Sequence, residues 1–263
     1  WRLPELANEL TVIARNERRF LGFSEEDSGF DPDKYKGQVV VATGASEVIA
    51  ATLLALLEPG DEVVMFDPYF DLYLADVALA GGVRVTVPLV GPDLRPDVAA
   101  LESAITPRTR LLLINSPHNP TGIVFTPTEL AGIADVAIRH DLLVLSDEAY
   151  EHLWFDDNRH IPIATLPGMW ERTVTVGSGG KSFSFTGWKV GWGTGPQPLI
   201  AAVRVVRQHL SYVSSGPFQW AMAAGLQLPD SYFDDFRRGL AAQRDLLSLG
   251  LRDLGMRVLT TQG

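Results

Sequence analysis

Short apolar runs recur between residues 38 and 176, and segments with helical character separate them. The apolar runs cover residues 38–42, 62–66, 110–114, 142–145 and 173–176, and over 83–89 apolar residues alternate with others, a period of two that also predicts a strand. The segments predicted as helices between them are 46–57, about 71–80, and 127–140. Apolar strands that alternate with helices are typical of a mostly parallel sheet covered on both faces. The pattern therefore predicts an α/β fold with a mostly parallel sheet flanked by helices.

The chain as a whole is expected to have three parts. Residues 1–36 are expected to form a helix, over about 4–20, and an acidic loop. Residues 37–229 form the expected large domain, which ends with predicted helices at 198–212 and 218–228. A long helix is predicted over 230–254, and residues 258–263 resemble the beginning of a strand. We therefore expect 230–263 to be an interdomain helix and the truncated start of a small domain, and both ends to belong to a longer protein.

Composition and charge narrow the function classes. The chain has 263 residues, 46% of them hydrophobic, so a substantial core is expected. A net charge of -10 argues against nonspecific nucleic-acid binding, and no apolar run is long enough to span a bilayer. The absence of cysteine excludes disulfides and thiol catalysis, and the five histidines lack metal-ligand spacing. We expect a cytoplasmic protein without a metal, a nucleic-acid partner or a membrane partner.

Polar residues follow the apolar runs at the points where each predicted strand ends. They lie in segments 43–46, 115–122, 146–150 and 177–181. Ligands of open parallel sheets bind beyond the carboxyl ends of the strands. We therefore expect a phosphate-ready helix start, an asparagine, an aspartate, a tyrosine, a serine and a lysine to converge on one edge.

The segment Gly-Ser-Gly-Gly-Lys-Ser at 177–182 resembles half of a nucleotide-binding P-loop. The P-loop motif requires glycine at position 175, where this chain has Thr175, and a helix that starts at the lysine. The following residues, FSFTGWKVGWG, instead predict a loop and a strand. A nucleophile elbow fails as well, because it requires glycine where the chain has Val176. On its own, Lys181 could equally be a solvated surface lysine.

A lysine near a carboxylate and a phosphate cradle fits pyridoxal phosphate better. This cofactor needs an amine for its aldehyde, a carboxylate for its ring nitrogen and a cradle for its phosphate. The carboxylate keeps the pyridine ring protonated, so the ring can accept the electrons of a carbanion. A free amine serves both Schiff-base chemistry and proton transfer. The constellation therefore indicates a pyridoxal-phosphate site.

Three motifs resemble those of a known family. SPHNPTG, SDEAY and SGGKSFSFTGWKVGW are similar to segments of the pyridoxal-phosphate-dependent aminotransferases of fold type I, class I/II, and the landmarks from about residue 4 to 263 follow the family order. TGWKVGW and SPHNPTG look most similar to the kynurenine/glutamine aminotransferases, and QHLSYV followed by GPFQ is similar to actinobacterial N-succinyldiaminopimelate aminotransferases. The resemblance implies the aspartate-aminotransferase-like fold, with the cofactor in the large domain at 37–229.

The resemblance also implies roles for the matching residues around the cofactor ring. Lys181 would form the Schiff base and then carry the proton between the substrate carbon and the cofactor. Asp147 would pair with the ring nitrogen. Asn119 and Tyr150 would hydrogen-bond to the 3-oxygen of the ring.

The same resemblance implies a phosphate cradle made from several segments. Gly44, Ala45 and Ser46 would bind the phosphate at a helix N-terminus, where N–H groups favour an anion. Ser178 and Lys189 would complete the cradle. Lys189 stands where many relatives have arginine, so it keeps the charge but loses the bidentate fork.

Aromatic residues near the motifs allow more than one interpretation. Phe70 would stack on the cofactor ring, and Tyr69 takes that place if the alignment is shifted by one residue. His118 is interpreted as structural rather than as an acid–base group. Trp188 and Trp192 are interpreted as packing residues.

Two segments of the family pattern are missing or shortened here. The resemblance implies that the distal arginine that binds the substrate carboxylate lies beyond the last residue, and we expect the N-terminal segment to be absent or shortened. We therefore expect most of the cofactor site but only part of the substrate site. The resemblance implies amino acid and 2-oxo acid substrates and a homodimer. Two alternatives stay open: a cysteine-conjugate β-lyase, which also begins with Cα deprotonation by Lys181, and a non-catalytic ligand-sensing regulator.

Overall fold

A seven-stranded sheet organises the part of the chain that the structure describes. This computed structural model describes residues 38–214 and 216–263, so the helix and acidic loop expected in 1–36 lie outside the described residues. The strands are β1 (Val39–Ala42), β2 (Glu62–Asp67), β3 (Val83–Pro88), β4 (Thr109–Asn115), β5 (Leu143–Asp147), β6 (Thr173–Ser178) and β7 (Gly191–Thr194). Their order is β1-β7-β6-β5-β4-β2-β3. Only β7 runs antiparallel to its neighbours, so the predicted mostly parallel sheet is confirmed.

Helices connect and cover the strands. They are α1 (Ala45–Leu56), α2 (Leu72–Leu79), α3 (Val98–Ser103), α4 (Pro127–Arg139), α5 (Gly179–Ser182), α6 (Gln197–Leu210), α7 (Gly216–Gly225) and α8 (Asp230–Asp253). Three short 3-10 helices lie among the described residues, at Ile163–Thr165, Trp170–Arg172 and Thr186–Trp188. The start of α4 illustrates how local sequence sets a boundary. Thr126 and Glu129 form a reciprocal capping box, and Pro127 occupies the first turn, where its missing N–H has no consequence.

The sheet is buried on both faces except at the outer strand β3, most of whose residues are exposed. Alternate residues of β2 enter opposite clusters: Val63 and Met65 pack with residues of α1 and α6, whereas Val64 and Phe66 pack with residues of α4. Successive side chains of a strand point to opposite faces, so a strand covered on both sides must be apolar throughout. This explains why continuous apolar runs, rather than alternating ones, mark most of the strands.

Two local features differ from the sequence-based expectation. The short helix α3 was not predicted; Asp97 caps it by accepting hydrogen bonds from the N–H groups of Ala99 and Ala100. The prediction of a strand beginning at 258–263 is wrong, because these residues lie outside any strand. Their backbone instead binds neighbouring loops: the N–H of Gln262 donates to the carbonyl of Gly122 at 2.6 Å, and the carbonyl of Gln262 accepts from Phe155.

Neither a membrane-spanning helix nor a cluster of metal ligands occurs among the described residues. No helix among them is long and apolar enough to cross a membrane. Within 38–214 and 216–263, no three His, Asp or Glu side chains are grouped so that they could hold a metal ion.

Asp76 in α2 is a buried acid, and its replacement should stabilise the fold. Its side chain is 5% exposed, and its Oδ2 atom has no hydrogen-bond partner among the described residues. Burial raises the pKa of Asp76 from 3.8 to about 6. Ionisation therefore opposes folding increasingly as the pH rises from about 4 to 6, and the penalty persists at neutral pH. Asp76→Asn should raise the free energy of unfolding at pH 7 by about 1 kcal/mol.

Thermal unfolding at several pH values tests this prediction. The gain from Asp76→Asn should shrink as the pH falls from about 6 to 4 and disappear below about pH 3, where both the folded and the unfolded states carry a protonated Asp76. Asp71→Asn, at an exposed position just before the same helix, is the matched control and should change little. A gain that is independent of pH would contradict the account.

Candidate active site

The predicted polar residues lie along one edge of the sheet. Asn115 at the end of β4 is in register with Asp147 at the end of β5, and Asp147 is in register with Val176 of β6. Ser178, at the end of β6, is in register with Gly191, the first residue of β7. Adjacent strands therefore place Asn115 and Asp147 side by side, with Ser178 two residues further along on β6.

Asp147 is a buried carboxylate with two donors. Its Oδ2 atom accepts a hydrogen bond from the hydroxyl of Tyr73 at 2.6 Å, and its Oδ1 atom accepts from the N–H of Ala149 at 3.1 Å. Burial raises the pKa of Asp147 above its usual 3.8, and these hydrogen bonds and the charge of Lys181 act in the opposite direction. A cation beside the carboxylate would offset the desolvation of its charged form.

Asn115 connects the strand edge to the loop that carries Asn119. The side-chain amide of Asn115 donates to the carbonyl of Asp147 at 2.8 Å, and its Oδ1 atom accepts from the N–H of Asn119 at 2.6 Å. Asn119 itself is partly buried. The backbone positions of Asn119 and Asp147 are thus fixed by one shared side chain.

Lys181 lies in the single turn of α5, immediately after β6. Its Nζ atom is 5.4 Å from the centre of the Tyr150 ring, and its charge acts on Asp147. The hydroxyl of Ser182 donates to the carbonyl of Ser178 at 3.1 Å, which holds the turn in place. The turn leads into a 3-10 helix and then β7, not into the long helix that a P-loop requires.

The N-terminus of α1 forms a cradle beside this turn. Gly44 precedes the helix with φ of 82°, and Ala45 and Ser46 form its first positions, where N–H groups lack intrahelical partners. A Cβ atom placed on Gly44 would lie 3.8 Å from Cδ of Lys189, so this lysine lies beside the helix start. Backbone N–H groups, a helix dipole and a nearby ammonium group are suited to binding a phosphate.

Gly191 brings β7 against this cradle, and its substitution should disrupt it. A Cβ atom on Gly191 would lie 2.4 Å from the nitrogen of Ala45 and 2.5 Å from the carbonyl carbon of Gly44. Neither backbone atom can move without displacing the start of α1. Gly191→Ala should therefore lower the free energy of unfolding by about 1–3 kcal/mol and weaken phosphate binding.

Chemical denaturation and titration with inorganic phosphate test the role of Gly191. Gly187→Ala is the matched control, because a Cβ atom there would meet no described atom within 4 Å. We expect the control to behave like the unsubstituted chain. Equal stability and phosphate affinity in the two variants would contradict the close approach at Gly191.

The two neighbouring aromatic residues before α2 point in different directions. The ring of Phe70 meets that of Tyr73 edge to face at 5.7 Å, next to Asp147. Tyr69 instead contacts Arg84 of the outer strand β3, both through its hydroxyl and with its ring 5.4 Å from the guanidinium carbon. The geometry favours Phe70 as the residue that faces a ligand near Asp147.

The contacts of His118, Trp188 and Trp192 favour structural roles for these three residues. Nδ1 of His118 lies 2.8 Å from the hydroxyl oxygen of Thr121, and burial lowers the pKa of His118 to about 4. The imidazole is therefore neutral at pH 7. Trp192 is buried against Gly177, and Trp188, 42% exposed, stacks on Phe218 at 4.6 Å.

Sequence reasoning missed two residues that hold the site together, Tyr73 and Asn115. Asn115 begins the polar segment 115–122 and Tyr73 lies in a predicted helix, but the sequence pattern assigns neither side chain a role of its own. Tyr73 follows Phe70 by three residues, a spacing that places both on one side of a helical turn. That spacing is the only signal that could have connected Tyr73 with the site.

The comparison with known proteins identifies the family. The sequence model of the family 'Aminotransferase class I and II' matches residues 4–263. The chain belongs to the class I and II aminotransferases. It is 49% identical over 255 residues to a probable N-succinyldiaminopimelate aminotransferase of Mycobacterium tuberculosis, covering 96% of this chain and 62% of the relative.

Other members of the family agree in sequence and structure. Kynurenine–oxoglutarate transaminase 3 of Mus musculus is 38% identical over 250 residues, covering 89% of this chain and 54% of the relative. The solved structure of N-succinyldiaminopimelate aminotransferase from Mycobacterium tuberculosis superposes with a TM-score of 0.92 at 48% identity, covering 98% of this chain and 65% of that one. The aspartate-aminotransferase-like fold is thereby confirmed, and the chain spans less than two thirds of these relatives' length.

Proposed function

We propose that this chain is the cofactor-binding part of a pyridoxal-phosphate-dependent aminotransferase. One observation carries the proposal: the buried carboxylate of Asp147 lies at the same sheet edge as the amine of Lys181 and the open N-terminus of α1. These three groups match the ring nitrogen, the aldehyde and the phosphate of the cofactor. Membership of the aminotransferase family supports the same assignment.

In this proposal, separate groups of the described residues would bind the phosphate and the ring of the cofactor. Gly44, Ala45 and Ser46 would bind its phosphate through the N-terminus of α1, together with the hydroxyl of Ser178 and the ammonium group of Lys189. A protonated ring nitrogen is the kind of cation that the buried, hydrogen-bonded Asp147 can hold. The positions of these groups support the assignment, because the start of α1 and the carboxylate of Asp147 both lie near the turn that carries Lys181.

The residues around the ring would orient it. Asn119 and the hydroxyl of Tyr150 would donate hydrogen bonds to the 3-oxygen of the cofactor. Phe70 would cover one face of the ring, which its position against Tyr73 supports. Fixing the ring in this way aligns the substrate Cα atom with the amine that removes its proton.

Lys181 would provide the amine chemistry. When bound, the cofactor supplies an aldehyde that condenses with amines and a ring that withdraws electrons from the attached carbon. The amine of Lys181 would hold the cofactor through this aldehyde. The freed amine of Lys181 can then take the proton from the substrate Cα atom as a general base. Asp147 would hold the proton on the ring nitrogen.

The proposed reaction moves an amino group from an amino acid to a 2-oxo acid in two half-reactions of a ping-pong cycle. The 49% identity to the mycobacterial relative supports N-succinyldiaminopimelate as a substrate, and a broader range of amino acid donors is the other option within the proposal. We also propose a cytoplasmic homodimer, as the family resemblance implies.

The domain division is also part of the proposal. Residues 37–229 would be the cofactor-binding large domain, and α8 with the residues after it would lead into a small domain. The surface of α8 supports this division, since Leu246, Leu247 and Leu249 are all exposed and available for packing.

Spectroscopy with added substrates tests the proposed function. The chain is loaded with pyridoxal phosphate, its visible spectrum is recorded, and single amino acids are added with and without a 2-oxo acid. Loss of the visible band, formation of pyridoxamine phosphate and release of a 2-oxo acid are expected. Pyruvate and a free thiol from a cysteine conjugate, without pyridoxamine phosphate, would indicate the β-lyase instead. No band in the loaded chain would contradict the proposal.

A further inference from the structure

Tyr73 makes the most direct contact with Asp147 of any side chain in the described residues. It projects from α2, is 1% exposed, and donates its hydroxyl to Oδ2 of Asp147 at 2.6 Å. Its ring meets that of Phe70 edge to face at 5.7 Å, with the planes at 89°. One side chain therefore touches both the residue proposed for the ring nitrogen and the residue proposed for the ring face.

The hydroxyl of Tyr73 remains a donor throughout the pH range in which proteins work. Burial and the neighbouring charge of Asp147 raise the pKa of Tyr73 well above its usual 10, so the phenol keeps its proton. A hydrogen bond donated to an ionised carboxylate stabilises its charged form and is stronger than one between neutral groups. It also restricts rotation of the carboxylate, which leaves the plane of Asp147 in one orientation.

We propose that Tyr73 is a positioning residue for the cofactor, which acts by orienting the charged carboxylate of Asp147 and by supporting Phe70. The inference rests on the proposed function, because it assigns a partner to the ring-nitrogen site. Tyr73 does not touch the reacting atoms. It acts through Asp147, so its loss should change the protonation of the cofactor ring rather than remove the covalent attachment at Lys181.

Tyr73→Phe removes the hydroxyl and keeps the ring against Phe70. In the chain loaded with pyridoxal phosphate, a less firmly held Asp147 stabilises the ring proton less well. The ring would then withdraw electron density less strongly from Nζ of Lys181, through which the cofactor is attached. That nitrogen would become more basic. We expect the pH midpoint of the visible band to rise by about half a unit to one unit and the cofactor affinity to fall roughly tenfold.

Two comparisons separate positioning from a general structural effect. Tyr69→Phe removes a neighbouring hydroxyl that faces Arg84 and keeps its ring, so neither midpoint nor affinity should change. Adding Tyr73→Phe to Asp147→Asn should cause no further shift of the midpoint, since the two residues act through one hydrogen bond. A purely structural Tyr73 would lower thermal stability in both backgrounds and leave the midpoint unchanged.

The outcomes distinguish this inference from the proposed function. A Lys181-dependent band in the unsubstituted chain, with the same midpoint and affinity in Tyr73→Phe, would overturn the role of Tyr73 and leave the proposed function intact. Absence of such a band in the unsubstituted chain would overturn the proposed function itself. A raised midpoint in Tyr73→Phe that disappears in the Asp147→Asn background supports the inference.

Discussion

Lys181→Ala is expected to abolish the visible band of the bound cofactor and to lower amino-group transfer by at least about 10⁴-fold. The substitution removes both the amine that holds the aldehyde and the base that takes the Cα proton. The fold should tolerate it, because backbone and serine hydrogen bonds close the α5 turn independently of the lysine side chain. Absorption spectra of the loaded variant and single-turnover rates with an amino acid measure the effect.

Lys189→Ala is the matched control for this prediction. Lys189 is the other lysine among the described residues, and it lies beside the cradle rather than beside Asp147. Its loss should weaken cofactor binding by roughly tenfold but leave the band in place once the site is saturated. A saturated band in Lys181→Ala, or its loss in Lys189→Ala alone, would contradict the assignment of the two lysines.

Asp147→Asn is expected to lower the rate of Cα proton removal by about 10²–10³-fold while the cofactor stays attached. The amide keeps the shape of the side chain but cannot neutralise a protonated ring nitrogen, so the ring becomes a weaker electron acceptor. Exchange of the substrate Cα hydrogen for deuterium, followed by NMR, measures this step directly. Stability should be maintained, since burial already disfavours the charge of Asp147.

The control for Asp147→Asn is Asp157→Asn, at an exposed loop position. It removes one negative charge without touching the sheet edge, and hydrogen exchange should proceed at the original rate. An Asp147→Asn variant that exchanges as fast as this control would show that Asp147 does not act on the ring.

The elements of the sheet could be read from the sequence because burial on both faces leaves continuous apolar runs. Residues 63–66 of β2 show this directly, because their side chains alternate between the two core clusters on opposite faces of the sheet. The strand order could not be predicted, because it depends on contacts between distant segments. Helix α3 is only six residues long, and its main signal is the cap at Asp97. The misassigned end at 258–263 is apolar enough for a strand, but its hydrogen bonds go to loops.

The candidate site shows the same division between local and tertiary information. Lys181, Asp147 and the start of α1 follow strand ends, so topology alone brings them to one edge. Tyr73 and Asn115 act through hydrogen bonds to residues 32 or more positions away, and no local pattern encodes such bonds. The choice between Phe70 and Tyr69 also needed their contacts, with Tyr73 on one side and Arg84 on the other.

The central claim is that Lys181 carries the cofactor covalently. The most direct measurement is reduction of the loaded chain with borohydride, proteolysis and mass spectrometry of the peptides. The chain has four lysines, at positions 34, 36, 181 and 189, so the attachment site can be assigned uniquely. We expect the reduced cofactor on the peptide that contains Lys181. Labelling at one of the other three lysines in its place, or no labelled peptide, would contradict it.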